Sequence, residues 1–223
     1  MISARSVTKL YGRTAVVSDV SLDVAAGEGI ALSGPHGSGK TTLLRLLGSW
    51  LEPSSGTIQI CGFDSRTHLW QARSRIAYAA ANALVGTGLT VEEYLEFVAR
   101  VRNRTAPSRR NAATPVRDAL KQAQLDPASR VAALAAGQRA ALSFAAVLVT
   151  PADVVLIDGV LDEIEESPRE TFCHWLLEAR GRGTAVVVAT DDASRHSGLC
   201  NRHVRVEAGK VSELTRTLSG AED

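Results

Sequence analysis

The sequence predicts an α/β fold with a mixed sheet, an antiparallel β portion at its start and a helical portion inserted in its middle. Two apolar runs, Gly29-Ile-Ala-Leu-Ser33 and Val154-Val-Leu-Ile-Asp158, read as strands buried on both faces. A third strand over Thr184 to Thr190, with helical patterns between, keeps the βαβ rhythm of a parallel sheet. From about residue 85 to 150 that rhythm gives way to amphipathic helices and loops, which marks an insertion. At 223 residues the chain is expected to form a single domain, residues 1–223, with the insertion as its subdomain.

Taken in order, SARSVTKLYG and AVVSDVSLDVAAGE alternate with period two, as half-exposed antiparallel strands do. After GIALS come a glycine-rich turn, a helix from about Lys40 to Leu51, and a short strand and turn in TIQICGFD. Val91, Tyr94, Leu95 and Val98 lie at helical spacing in a helix from Val91 to Val101. A Pro, Arg and Ala-rich loop, Thr105 to Pro115, precedes a second helix from Val116 to Gln124. Helices from Gln138 to Thr150 and from Pro168 to Arg180 flank VVLID, and HVRVEAGKV reads as one closing strand.

Apolar residues make up 45% of the chain and its formal charge is +1, so net charge points to neither nucleic acid nor an anionic membrane surface. The opening MISARSVTKLYG lacks the apolar centre of a secretion signal. The most apolar run, Ala140 to Val149, is shorter than the about 20 residues a spanning helix needs. Cys61, Cys173 and Cys200 show no CxxC or metal spacing and are expected to be free core thiols in a reducing cytosol.

The chemistry concentrates in Gly34-Pro35-His36-Gly37-Ser38-Gly39-Lys40-Thr41-Thr42, which fits GxxxxGK[ST] between a buried strand and a helix N-terminus. Glycines let backbone N–H groups wrap phosphate oxygens, Lys40 neutralises the β and γ oxygens, and Thr41 offers its hydroxyl to Mg²⁺. His36 occupies a variable position of the loop and reads as a solvent-exposed spacer. Asp158, ending the apolar strand, is the candidate anchor for the Mg²⁺ shell; the bland alternative is that it caps the following turn.

With these residues in place, the chain resembles the ATPase subunit of an ABC transporter over nearly its full length. LAAGQRAALSFAAVLVTPADVVLID, Leu134 to Asp158, is similar to that family's signature motif, helix and Walker B strand, in order and spacing. Tyr11 in KLYG matches the aromatic that stacks on adenine, and IAYAAANALVGTGLTVEEYLEFVARVR is similar to exporters whose ATPase is a separate chain. The resemblance implies ATP and Mg²⁺ as ligands, a membrane-spanning permease and a second ABC ATPase chain as partners, no nucleic acid, and a place on the inner, cytoplasmic face of the cell membrane. It also implies that Ala135, Ala136, Gly137 and Gln138 face the nucleotide of the opposite ATPase chain.

The departures from the family pattern fall on the groups that handle water and γ-phosphate. The signature serine is Ala135, the Q-loop residue is Ala81, the D-loop aspartate matches Glu165, and Gly159 and Asp191 occupy the positions of the catalytic Glu and the switch His. A positioned base is worth about 10²- to 10⁴-fold in rate, roughly 3 to 5 kcal/mol of barrier. A carboxylate about 4 Å from a phosphate charge repels it by roughly 4 kcal/mol at an effective dielectric near 20, so Asp191 is expected to turn away or to be protonated. Binding is thus expected to survive and hydrolysis to be slow, with a competent partner completing the cycle.

Two other readings stay open. One is a nucleotide-gated scaffold that never drives transport. The other is an ordinary ATPase with a displaced base, Glu163 or Asp162, if the loop after Asp158 folds back or if LDE is the true strand end. Arg100, Arg102, Arg104, Arg109, Arg110 and Arg117 read either as a solvated loop or as a contact for headgroups or acidic groups of a membrane partner. Trp50, Trp70 and Trp175 are expected to pack.

Overall fold

The computed structural model describes residues 1–80, 88–105, 113–196 and 198–216. Among these residues two sheets form. The first is antiparallel, in the order β2-β1-β4-β5, from Ile2–Tyr11 (β1), Thr14–Val24 (β2), Ser55–Ile60 (β4) and Phe63–Asp64 (β5). The second runs β10-β9-β3-β8-β7-β6, from Gly29–Ser33 (β3), Ile76–Ala80 (β6), Val154–Asp158 (β7), Ala185–Thr190 (β8), Arg202–Glu207 (β9) and Lys210–Arg216 (β10). The pairs among β9, β3, β8, β7 and β6 are parallel and β10 is antiparallel to β9, so this sheet is mixed.

The helices are Lys40–Leu47 (α1), Leu69–Ser74 (α2), Val91–Thr105 (α3), Val116–Ala123 (α4), Ala136–Leu148 (α5), Val160–Glu163 (α6) and Glu166–Gly181 (α7). Strand alternation in the mixed sheet divides the apolar interior in two. Ala31, Val155, Ile157, Val186 and Val188 face one core, shared with Leu95, Leu120, Phe144 and Phe172 of the helices. Ile30, Leu32, Val154, Leu156 and Val187 face the other, filled by α1 and by Ile2, Val20 and Ile58 of the antiparallel sheet. The helices over 91–148 therefore share one core with the sheet instead of closing a core of their own. Phe144 is its centre, stacked on Phe172 at 4.3 Å and edge-on to Trp175 at 6.1 Å.

Several boundaries differ from the sequence expectation, each for a local reason. Helix α1 stops at Leu47 because Gly48 caps it and Ser49 turns left-handed at φ 61°. The closing segment is a hairpin, β9 and β10, and not one strand: Ala208 and Gly209 take positive φ of 48° and 76°, the two-residue turn that fits strand twist. Alanine seldom adopts that conformation, so the turn carries no Asn-Gly or Asp-Gly signal. The six residues of α2 and the strand β6, Ile76-Ala-Tyr-Ala-Ala80, lie in a stretch for which no local element was expected. Trp70 is 79% exposed and does not pack, whereas Trp50 lies over the Tyr78 ring with centroids 4.8 Å apart.

Of the arginine group, Arg100 pairs with Glu96 at 2.7 Å, and Arg102 turns inward to the Ile76 and Arg73 carbonyls, where burial lowers its pKa. Arg102 thus fits neither the solvated nor the membrane-facing reading. The positions of Ala81, Arg109 and Arg110 lie outside the described residues, as does the Arg104 side chain. The three cysteines are free, and burial pushes the Cys200 thiol up to about 12. Among the described residues no helix is long and apolar enough to cross a membrane.

Candidate nucleotide site

The parallel register brings Ser33, Thr190, Asp158 and Ala80 to one edge, the carboxyl ends of the strands, where α/β sheets hold their ligands. A cleft of about 780 Å³ opens there, lined from Tyr11 and Val16 through the glycine-rich loop to Tyr78, Asp158, Gly159, Asp162, Glu163 and Asp191. His36, Gly37, Ser38, Gly39, Lys40, Thr41 and Thr42 all line it. Gly34 and Pro35 do not; their carbonyls instead accept hydrogen bonds from Lys40 Nζ at 2.6 and 3.1 Å. Gly39, at φ 106°, runs so close to β2 that an added Cβ would lie 2.6 Å from the Val16 carbonyl oxygen. Only glycine permits that approach, which seats α1 with its N-terminus on the cleft.

The third donor of Lys40 goes to Asp191 Oδ1 at 2.9 Å. The Lys40 side chain is 12% exposed and that of Asp191 75%, so the pair sits at the mouth of the loop with the carboxylate on the solvent side. Asp191 is therefore neither turned away from the loop nor merely repelling: it is the counter-ion of Lys40.

Across the cleft, Thr41 Oγ1 donates to Asp158 Oδ1 at 2.9 Å and the Tyr78 hydroxyl donates to Asp158 Oδ2 at 2.8 Å. Burial, and then the Asp158 charge, push the Tyr78 phenol well above its ordinary range, so it stays a donor. Tyr78 was missed by motif reading. The one sequence signal was its place in a segment, IAYAA, that pairs residue for residue with VVLID.

Gly159 adopts φ 69° and caps α6, so the chain turns into a helix at once after β7. The strand ends at Asp158, which excludes the shifted register ending at LDE. The turn of helix places Asp162 and Glu163 on the cleft wall. Asp162 accepts from the Thr190 hydroxyl at 3.2 Å and lies 3.4 Å from Nε2 of His196, which is 3% exposed and whose Nδ1 finds no partner among the described residues. Burial acts to raise the Asp162 pKa, but the hydrogen bonds from His196 and Thr190 outweigh it and hold the carboxyl below its ordinary value. His196 thus supports the Asp162 carboxylate from behind the cleft wall.

The residues present suit a magnesium–nucleotide ligand. The buried Ser38 hydroxyl has no partner among the described residues, and Ser38 lies in the loop that lines the cleft. Among the described residues no group of three His, Cys, Asp or Glu side chains could hold a metal alone. A magnesium ion at Thr41 and Asp158 would take its other ligands from phosphate oxygens and water, as that ion commonly does.

The signature-like residues lie elsewhere. Gly137 and Gln138 border a shallow depression with Gln124, Ile164 and Glu165, away from the loop. Ala135 is the N-cap of α5 and Ala136 its first residue; the Ala135 N–H donates to Gln138 Oε1 at 3.0 Å, but alanine offers no capping oxygen in return. Glu165 caps α7.

A mixed, largely parallel α/β sheet with a phosphate-type loop leading from β3 into α1 defines a P-loop protein. The ABC transporter family matches residues 17–161, and the chain belongs to it. It is 31% identical over 220 residues to a sulfate/thiosulfate import ATP-binding protein of Rhizobium meliloti, covering 96% of this chain and 59% of the relative. It is 30% identical over 213 residues to the Nod factor export ATP-binding protein I of Burkholderia orbicola, covering 95% and 70%. Against that import protein the chain thus spans about three fifths of the relative's length. In fold it is similar to a dimeric ATP-binding cassette solved in a post-hydrolysis state with ADP and Pi, at TM-score 0.85 and 23% identity, covering 99% of this chain and 100% of that one.

Proposed function

We propose that the chain is the Mg-ATP-binding subunit of an ABC transporter of the export type, holding nucleotide firmly and hydrolysing it slowly. The observation that carries this reading is the asymmetry at the strand ends. Lys40, Thr41 and Asp158 converge on one cleft, while the next position after Asp158 is a glycine with no side chain to activate water. Tyr11, 51% exposed at the cleft rim, is the proposed adenine platform. Ala135 to Gln138 are proposed to face the nucleotide of a second, competent ATPase chain, which favours a heterodimer, with a membrane permease as third partner on the inner face of the membrane.

The test measures ATP binding and phosphate release together, on the isolated chain and then with its genomic neighbours. Tight Mg-dependent binding with turnover that rises only on adding a second ATPase supports the reading. Turnover at ordinary enzyme rates by the chain alone, lost in Lys40→Ala, would sink it.

One observation favours a second reading. Asp162 and Glu163 line the cleft, and Asp162 is held by Thr190 and His196 as an oriented base would be. If either carboxylate activates water, Asp162→Asn or Glu163→Gln abolishes phosphate release by the isolated chain while ATP binding persists.

A further inference from the structure

The Lys40–Asp191 contact has the geometry of a ligand already in place. An ammonium group has three donors; here two go to the Gly34 and Pro35 carbonyls and the third to Asp191. The two carbonyls belong to the loop's own backbone, whereas Asp191 stands on the solvent side, 75% exposed. Any phosphate oxygen that reaches Lys40 must take the donor that Asp191 holds.

Position along the sheet says which phosphate that is. Asp191 follows β8, and β8 lies between β3, which feeds the loop, and β7, which ends in Asp158. A phosphate-loop lysine reaches the β- and γ-phosphates, and Thr41 and Asp158 across the cleft would hold a metal that neutralises charge at the same end of the nucleotide. A carboxylate between the two anchors therefore stands at the outer end of the phosphate chain. The inner phosphates are met by loop N–H groups and the α1 N-terminus, which Asp191 does not occupy.

We propose that Asp191 is a specificity-determining residue that counts phosphates: by standing in for the outermost one on Lys40, it favours a nucleoside diphosphate over the triphosphate. The proposal rests on the nucleotide reading above. Either nucleotide has to draw Lys40 away from the carboxylate, but a triphosphate brings about one more negative charge up to Asp191 than a diphosphate does, and its outermost group falls where the carboxylate stands. Family resemblance alone would not suggest such a filter, since the position there is a histidine, which can donate to the γ-phosphate.

The experiment titrates the full-length chain with Mg-ATP and with Mg-ADP by calorimetry, for the native chain, Asp191→Asn and Asp191→Ser. Asp23→Asn, a charge loss at the distant Arg5–Asp23 pair, controls for net charge. Both Asp191 variants should tighten ATP by about tenfold and ADP by less than about threefold, and raising salt should narrow the native preference for ADP. Asp23→Asn should leave the ratio of affinities unmoved. If ATP and ADP bind but the ratio does not change in the Asp191 variants, the selector is overturned and the nucleotide reading stands. If neither nucleotide binds the native chain, both are overturned.

Discussion

Gly159 shows how much one residue decides. At φ 69° it does more than omit a carboxylate: the left-handed turn starts α6 immediately and aims Asp162 and Glu163 at the cleft. Space for a Cβ exists there, with nothing within 4 Å, so the cost of Gly159→Ala is conformational. That substitution should lower stability by about 1 to 2 kcal/mol in urea denaturation, without loss of nucleotide binding. Asp162 makes a second residue-scale prediction. Its folded pKa lies below the ordinary 3.8, so its contribution is fully present above that value and is lost as pH falls through the lower folded value. Asp162→Asn should flatten the acid limb of the stability curve below about pH 3.8 and leave its shape near neutrality unchanged. The loop residues, Asp158 and the Asp191 position were all legible in sequence, because each is tied to a motif spacing. What Asp191 does was not, because an ion pair between residues 40 and 191 depends on which strand lies between them.

At the scale of elements, the buried strands were the most legible parts. GIALS and VVLID are continuous apolar runs ended by a polar residue, and β3 and β7 occupy the expected spans. Strand β6 was not legible, because Ile-Ala-Tyr-Ala-Ala is alanine-rich and local preference does not favour extension. Pairing with β7 and the helix α5 packed above it make it a strand, a tertiary effect that outweighs propensity. Helix α5 packs against α3, α4 and α6 as well as against the sheet. Phe144→Ala would empty the contact with Phe172 and Trp175 and should cost about 3 to 5 kcal/mol by chemical denaturation. A loss below about 1 kcal/mol would mean that the helices of 91–148 do not share their core with the sheet.

For the whole molecule, the two cores flank one mixed sheet whose carboxyl edge holds the cleft, so occupancy of the cleft ties both halves together. A ligand that binds only the folded chain stabilises it by about 2.7 kcal/mol at a hundredfold excess over Kd, roughly 5 to 10 °C in melting temperature for a chain of this size. Mg-ATP should give a shift of that order in a thermal melt, and adding a chelator should remove most of it. Absence of any shift with either ATP or ADP at millimolar concentration would count against nucleotide binding. The class of fold was readable because loop, strand and helix motifs agree in order; the closing hairpin and the placement of α2 rest on turn conformations that composition does not advertise.

The tilted contact of Trp50 with the Tyr78 ring gives the protein an optical reporter of its own candidate metal seat. Of the three tryptophans, Trp70 stands in solvent and Trp175 lies in the helical core, so Trp50 alone is joined to the cleft, through the Tyr78 hydroxyl on Asp158. A cation drawn to Asp158 redistributes charge around that phenol and so around the indole against it. Intrinsic fluorescence should therefore change when Mg²⁺ and nucleotide are added together, and the change should vanish in Trp50→Phe.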